Sequence, residues 1–142
     1  MNASRLLIIA STLTLTACAS TPSVERSCFK LSDFEDHLGY CQAVRVGNTL
    51  HISGSVGSGE MAVAIPQAYA TLQRTLEANG LGFEHVVKET VFTTDIEAFK
   101  ANYELRKAYY DGTYPASSWI GIERLYLPEF VLEVEITAVY PE

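Results

Sequence analysis

Histidine, cysteine and basic residues are scarce in this sequence of 142 residues. It has 3 histidines, 3 cysteines, and 10 lysines and arginines against 17 aspartates and glutamates, for a formal net charge of −7. His37, His51 and His85 lack the spacing of metal ligands and no Cys-x-x-Cys is present, so no metal site is expected. The basic residues form no stripe, which argues against nucleic-acid binding by counterion release. The glycines after residue 53 do not match GxGxxG, so no nucleotide cofactor is expected.

A hydrophobic run of membrane-spanning length is also missing. Residues 6–17 form an uncharged, mostly apolar run of 12 residues after Arg5, well below the ~18 residues of a spanning helix. A positive start, a short apolar core and small residues at its end are typical of a secretory signal, so export is expected. The LTAC junction ending at Cys18 resembles a bacterial lipobox, in which the cysteine becomes the lipidated amino terminus. An ordinary cleaved signal is the alternative.

The residues after Cys18 predict where the chain goes and how it is divided. No aspartate follows Cys18, and by resemblance to the sorting rule of enteric bacteria this favours the periplasmic face of the outer membrane. The predicted divisions are a signal peptide at 1–17, the lipidated cysteine with a polar tether at 18–28, and one domain at 29–142. Cys28 and Cys41 either pair in an oxidising compartment or stay two separate buried thiols.

Short β-branched runs alternate with two helical patterns. The predicted elements, in the order ββαβαββ, are strands at 40–46 and 49–55, a helix at 65–79, a strand at 86–94, a helix at 97–111, and strands at 119–125 and 130–140. Gly47-Asn48 predicts a hairpin turn between the first two strands. Pro66 fits the first turn of the first helix and Gly80 its C-terminal stop, while Asp95 can cap the second helix.

The last predicted strand has two different faces. One carries Phe130, Leu132, Val134, Ile136 and Ala138, and the other carries Val131, Glu133, Glu135, Thr137 and Val139. The first face is expected to carry both helices. The second face is partly apolar, which suggests burial against copies of the chain with its carboxylates at a wet or functional cleft. A plain solvated face is the alternative.

Three stretches, in this order, carry a family resemblance: GYCQAVRVGNTLHISG, LEANGLGFEHVVKETVFTTDIEAF, and YPASSWIGIERL followed by LEVEITAV. They resemble the RidA/YjgF family, also called the reactive intermediate deaminases or L-PSP proteins, over about residues 38–140. The resemblance implies an α+β, chorismate-mutase-like fold, with a mixed sheet and two helices on one face. It also implies a homotrimer with small-molecule pockets between its subunits.

Four candidate site residues match the family pattern. Tyr40 matches the pocket tyrosine, and Ser53 with Gly54 matches a Ser-Gly pair, although Ser55 stands where a glutamine is usual. Glu133 matches the glutamate that helps hold the attacking water in active members. The resemblance therefore makes Glu133 the candidate catalytic residue and the other three candidate ligand-binding residues.

Three further candidate ligand-binding positions depart from the pattern. Tyr103 stands where many members have asparagine, and with Phe99 and Tyr110 it also forms an aromatic stripe that is expected to be core. Trp119 occupies a strand position that is often cysteine. Ser117 replaces the arginine that grips the substrate carboxylate. Trp119 either narrows the site and offers a stacking surface, or fills the space that the arginine leaves.

The missing arginine predicts a loss of the activity best known in the family. Hydrolysis of 2-imino acids to 2-oxo acids and ammonia depends on that grip, because it positions the imine against the water. Charge-assisted hydrogen bonds contribute about 1.5–3 kcal/mol each, so the barrier should rise by about 4 kcal/mol or more. Neither Arg45 nor Arg124 is an obvious replacement.

Three functions are compatible with these features. The first is a trimeric lipoprotein that binds a small molecule between subunits without ordinary 2-imino acid deaminase activity. The second is a deaminase-type hydrolase that uses a Glu133-held water on a non-anionic substrate, so whether the chain is an enzyme stays open. The third, disfavoured by the net charge of −7, is the endoribonuclease role attached to the L-PSP name.

Overall fold

The structure is a computed structural model that describes residues 24–142. Its six strands are β1 (Arg26–Phe29), β2 (Ala43–Val46), β3 (Thr49–Ser58), β4 (Val86–Thr93), β5 (Ala116–Gly121) and β6 (Phe130–Val139). Its helices are α1 (Phe34–Leu38), α2 (Met61–Ala78) and α3 (Ile96–Lys107), with 3-10 turns at Phe83–His85 and Ala108–Tyr110. The predicted cleavage site and Cys18 lie outside the described residues.

The strands form one mixed sheet in the order β1-β2-β3-β6-β4-β5. Neighbours are antiparallel except for β4 and β5, which run parallel because α3 crosses between them. The core lies between this sheet and the two long helices, where Leu132, Val134, Ile136 and Ala138 of β6 are buried. The predicted α+β fold with helices on one face is therefore confirmed. Within residues 24–142, no helix combines the length and the apolar character that a membrane crossing requires.

Local signals placed several element ends correctly. Gly47, with φ of 59°, and Asn48 form the turn between β2 and β3. Gly80, with φ of 72°, follows the last residues of α2. The Asp95 carboxylate accepts a hydrogen bond from the backbone N–H of Ala98 and so caps α3. These three signals act over a few residues, which is why the sequence alone could reveal them.

Other boundaries were wrong. Residues 26–28, predicted to belong to the tether, pair with β2 as the edge strand β1. The first predicted strand begins at Ala43 because Tyr40 follows α1 and returns its N–H to the Glu35 carbonyl. Helix α2 begins at Met61, since the Glu60 carbonyl already accepts two N–H groups, which places Pro66 beyond the first turn.

The fifth and sixth strands also differ from expectation. Strand β5 spans Ala116–Gly121 and not 119–125, because its register follows Lys88 to Thr93 of β4. A register shift against β3 lies at the start of β6, between Gly57 and Ser58. Phe130, expected under the helices, lines a groove with Glu133, and Val131 packs against the core.

Candidate functional site

The predicted site residues fall into two groups on opposite faces of the sheet. Glu133 alternates with the buried Leu132 and Val134, so its side chain points away from the helices. Ser117, by contrast, donates a hydrogen bond to Glu89, a side chain buried under the helices. The predicted set is therefore not one pocket within one chain.

The first group lines an open groove of about 390 Å³, here called the Glu133 groove. Its polar members are Tyr40, Ser53, Gly54 and Glu133, and its apolar members are Phe34, Leu38, Val56, Tyr126, Leu127 and Phe130. Four site residues matched from the family pattern thus share one surface. None of the side chains that line this groove is basic.

Gly54 makes room for the Glu133 carboxylate. The segment Ser53-Gly54 lies at a register shift of β3 against β6, where β3 bulges. A Cβ on residue 54 would overlap Glu133 Oε1, so the carboxylate lies directly on the backbone of Gly54. The absence of a side chain at this position is therefore what allows the observed placement of the carboxylate.

Ser53 fixes the entry to the groove. Its Oγ donates to the Cys41 carbonyl at 2.7 Å, and its N–H donates to the Gln42 carbonyl at 2.9 Å. Both bonds tie β3 to the segment that carries Tyr40. The hydroxyl proton of Ser53 is thereby committed to the backbone, and its oxygen keeps acceptor capacity for a ligand.

The groove is electrostatically negative. Partial burial raises the pKa of Glu133, and the nearby Glu135 raises it further. Burial also raises the pKa of Tyr40, as do the charges of Glu35 and Glu133, so the phenol stays protonated as a donor. A raised pKa makes Glu133 a stronger proton acceptor than an ordinary carboxylate, which suits it to hold a water and take up a proton from it. The groove therefore suits a neutral or positively charged ligand.

The second group contains Ser117, Trp119 and Tyr103. Ser117 belongs to a hydrogen-bonded network around the buried Glu89, here called the Glu89 cluster: Glu89, Tyr69, Arg106, Tyr110 and Ser117. Tyr69 and Tyr110 donate to Glu89 Oε1 at 2.5 and 2.6 Å. Arg106 Nε at 2.8 Å and Ser117 Oγ at 2.5 Å donate to Oε2. The Arg106 Nη2 atom also lies 2.7 Å from Oε2. Glu89 is 0 % exposed and Arg106 6 %, so the ion pair is shielded from solvent.

Trp119 packs across the outside of this cluster. Its Nε1–H donates to Ser117 Oγ at 2.8 Å, and its ring contacts Phe99 edge-on with centroids 5.1 Å apart. The Arg106 guanidinium lies 5.6 Å from the indole centroid. Tyr103 is 41 % exposed and flanks the indole at 6.3 Å. Trp119 thus covers the cluster and still leaves 39 % of its own surface exposed at the sheet edge.

Sequence reasoning missed Glu89 and the role of Arg106. Both residues carried a usable signal: Glu89 shares a strand face with Val91 and Thr93, and Arg106 recurs at helical spacing on the buried side of α3. Opposite charges on the inward faces of two adjacent elements indicate a buried ion pair. Neither residue was assigned to the core from the sequence, so the ion pair was not predicted.

The pKa of Glu89 reports the strength of this network. Burial alone would raise it, but hydrogen bonds from Arg106, Ser117, Tyr110 and Tyr69 together hold the pKa of Glu89 below its ordinary value. Burial and the Glu89 charge raise the pKa values of Tyr69 and Tyr110. Glu89 is therefore ionised and both phenols are neutral at physiological pH.

A pH dependence of stability follows from the lowered pKa of Glu89. Folding favours the carboxylate, so its contribution is present above the ordinary carboxyl pKa of about 4.3 and is lost as the pH falls through the lower folded value. Below about pH 4.3 the free energy of unfolding should fall more steeply in wild type than in Glu89→Gln. Urea unfolding between pH 7 and pH 3 measures this.

The matched control is Glu97→Gln, since Glu97 is exposed and pairs only with Lys100 one turn along α3. This variant should keep the wild-type pH dependence. A difference between wild type and Glu89→Gln that stays constant over the whole pH range would contradict the assignment.

Cys28 and Cys41, for which the sequence left two alternatives open, form a disulfide with Cα atoms 5.5 Å apart. The bond connects the edge strand β1 to the residue that follows Tyr40.

Among residues 24–142, no group of three or more histidine, cysteine, aspartate or glutamate side chains has a geometry suited to a metal ion.

Known proteins show the same architecture. A family model described as Endoribonuclease L-PSP matches residues 32–140. A RutC family protein of Aquifex aeolicus is 34% identical over 110 residues, which cover 70% of this chain and 87% of that protein. A 2-iminobutanoate/2-iminopropanoate deaminase of Homo sapiens is 37% identical over 86 residues, or 54% of this chain and 63% of that protein, which is less than two thirds of its length.

The solved structures agree with the fold. A Mycobacterium tuberculosis member of the YjgF/YER057c/UK114 family superposes with a TM-score of 0.73 at 26% identity, covering 81% of this chain and 99% of the other.

Proposed function

Because the chain belongs to the Endoribonuclease L-PSP family, also called the RidA/YjgF family, we propose that it binds a small neutral or cationic molecule in the Glu133 groove and lacks ordinary 2-imino acid deaminase activity. Relatives such as the human protein are named for the hydrolysis of anionic 2-imino acids. The Glu133 groove of this chain has an acidic side chain and no basic one in its lining, so its charge does not suit an anionic substrate.

One observation carries the proposal: the arginine nearest to position 117 is already neutralised. Arg106 and Ser117 converge on the same oxygen of Glu89, and the carboxylate and the guanidinium are buried while Ser117 lies exposed on β5. A guanidinium committed to a buried carboxylate has little net charge left to attract a ligand carboxylate. The groove itself offers Glu133 and no basic lining side chain, so an anion would be repelled there.

Three ligands of matched size and different charge test the proposal: benzylammonium, benzamide and benzoate. Each is small enough for a groove of about 390 Å³. Isothermal titration with the purified protein should give the tightest binding for benzylammonium or benzamide, and benzoate should bind at least about tenfold more weakly. In Glu133→Gln the preference for the cation should shrink, because the amide keeps the size but removes the charge.

Exposed acidic residues far from the groove provide the control, and Glu97→Gln should bind all three ligands as wild type does. Tighter binding of benzoate than of benzamide would contradict the proposal, since it would reveal an anion grip supplied by another residue or by a neighbouring subunit.

A second function, hydrolysis of a neutral imine or enamine, is favoured by Glu133. Its raised pKa and its position over the Gly54 backbone suit a group that holds a water and transfers its proton. Under this alternative, ammonia release from a neutral imine would be accelerated by wild type and abolished in Glu133→Gln. No acceleration by wild type over the reaction without protein would leave binding alone as the function.

Ser117→Arg is not expected to restore activity on 2-imino acids. The side chain at position 117 points to Glu89 on the helix face, and a second guanidinium there would have to share one carboxylate with Arg106. Trp119 also occupies the adjacent space. Ser118→Arg, on the opposite face beside Lys88, is the control for charge alone. Recovery by Ser117→Arg to the rate of ordinary family members would refute this prediction.

The proposed function also includes an oligomeric state and a cellular location. We propose a homotrimer in which the Glu133 groove of one chain meets the exposed Trp119 edge of another, and an exported protein lipidated at Cys18. Light scattering of the purified protein tests the trimer. Metabolic labelling with radioactive palmitate, lost in Cys18→Ser, tests the anchor. An endoribonuclease role is disfavoured, because nucleic-acid binding needs a basic groove and the net charge of this chain is −7.

A further inference from the structure

We infer that the Cys28–Cys41 disulfide is a positioning element of the Glu133 groove: it holds the loop that supplies Phe34, Leu38 and Tyr40, and its reduction weakens ligand binding there. The inference rests on the proposed function for its ligand. Its structural part, the restraint of the loop by the disulfide, stands on the contacts below.

The loop between the two cysteines forms one wall of the groove. It contains α1, and its residues Phe34, Leu38 and Tyr40 all line the groove opposite Glu133. Phe34 is 56 % exposed and Leu38 45 %, so neither side chain is anchored in the core. The position of this wall therefore depends on how the loop itself is held.

Most of the loop's hydrogen bonds are internal. The buried Glu35 carboxylate accepts from the N–H groups of Leu31 and Ser32 and from Ser32 Oγ. Lys30 donates to Asp36, and the N–H of Tyr40 returns to the Glu35 carbonyl. These bonds give the loop a shape, but they do not attach it to the rest of the domain.

The attachments to the sheet lie at the two ends of the loop. One end is β1, an edge strand of four residues of which Arg26, Ser27 and Cys28 are exposed. The other end is Cys41, whose carbonyl accepts the Ser53 hydroxyl. The disulfide joins these ends across a sequence separation of 13 residues. Without it, the Ser53 bond would still hold Cys41, but the other end would be held by the short β1–β2 pairing and the partly buried Phe29. A short, mostly exposed edge strand is the kind of segment that opens locally.

Reduction by a dithiol would release the restraint. Two electrons and two protons pass to the bond, Cys28 and Cys41 each end as a thiol, and the dithiol is oxidised to its own disulfide. The released wall would sample positions in which Tyr40 no longer faces Glu133. A ligand must then select the closed arrangement, which lowers its apparent affinity by the fraction of time that the wall is in place.

The test compares oxidised protein, dithiol-reduced protein and the double variant Cys28→Ser/Cys41→Ser. Hydrogen exchange of the amides that pair β1 with β2 should accelerate roughly tenfold or more on loss of the bond, whereas the amides of α2 should not change. Benzamide affinity should fall roughly tenfold. Dithiol reduction of the wild type gives the same comparison if the double variant fails to fold.

A positioning role is distinguished from general stability by a double-mutant cycle. Tyr40→Ala in the oxidised protein should weaken benzamide binding, and removal of the disulfide from that variant should cost little more, because both changes act through the same wall. Fully additive losses would overturn the inference, as would unchanged exchange of the β1 and β2 amides after reduction. Absence of binding of both benzamide and benzylammonium by oxidised wild type would instead contradict the proposed function, and the exchange measurement would still decide the role of the bond.

Discussion

Arg106→Met should destabilise the protein by about 3–5 kcal/mol, because it leaves the Glu89 carboxylate buried without its cation. Glu89 is 0 % exposed and receives both the Nε and the Nη2 atoms of Arg106. Methionine has a similar reach and fills the space, so the loss reports the charge and not a cavity. For a domain of this size the melting temperature should fall by roughly 10–20 °C, which calorimetry or urea unfolding measures.

Arg74→Met is the matched control. Arg74 is an exposed residue of α2 whose guanidinium donates to Thr71 Oγ, and its replacement should change stability by less than about 0.5 kcal/mol. The double variant Glu89→Leu/Arg106→Met should recover part of the loss, since it removes both charges together. Recovery should stay incomplete because Tyr69 and Tyr110 lose their acceptor. Equal stability of Arg106→Met and Arg74→Met would show that the ion pair contributes nothing.

Gly54→Ala should weaken binding of benzylammonium by about 10- to 100-fold with little change in stability. The new methyl group would overlap Glu133 Oε1, and the carboxylate is the part that can move, since it ends a flexible side chain on an open face. Moving it removes one charge-assisted contact to the ligand, which contributes about 1.5–3 kcal/mol. Titration calorimetry and thermal unfolding of the same sample separate the two effects.

Gly121→Ala is the control for the cost of adding a methyl group to a glycine in the sheet. A Cβ there would meet only Ile96 at 3.8 Å, which is ordinary contact. This variant should bind the ligand as wild type does. Wild-type affinity in Gly54→Ala would mean that the Glu133 carboxylate does not touch the ligand.

The parts of the fold that could be predicted are those with strong local periodicity. The core faces of α2 and β6, the Gly47-Asn48 turn and the Asp95 cap all follow from residues within one element. Strand β1 could not be predicted, because four mostly exposed residues beside a polar tether carry no hydrophobic pattern. The start of β5 was equally hidden, since its bounds are set by pairing with β4 and not by its own composition.

The candidate site also has one part that could be predicted from the sequence and one part that could not. Tyr40, Ser53, Gly54 and Glu133 were placed together by resemblance, and in the structure they line one groove. The true partner of Ser117 could not be found that way, because Glu89 belongs to another strand 28 residues away and no motif joins the two. From the sequence, Arg45 and Arg124 were the arginines compared with position 117. Arg106 was not predicted to lie beside Ser117, and its charge is directed into the core.

The comparison of Arg106 with Ser117 explains why charge alone does not define a site. Arg106 lies beside Ser117, yet its charge is paired with the buried carboxylate of Glu89, which also accepts hydrogen bonds from three hydroxyl groups. An isolated guanidinium would attract an anion, while a paired and buried one is chiefly part of the packing. The proposed preference of the groove for neutral or cationic ligands therefore follows from Glu133.

We expect the Glu133 groove not to process anionic imines, and an ammonia-release assay measures this most directly. 2-Iminobutanoate would be generated in situ from threonine by a dehydratase, in one reaction with a fixed concentration of the purified protein and in one reaction without it. We expect the same rate of ammonia release in both reactions from a protein that is folded by circular dichroism. Acceleration by wild type that is abolished in Glu133→Gln would contradict this expectation and show that the groove accepts an anionic imine without an arginine at position 117.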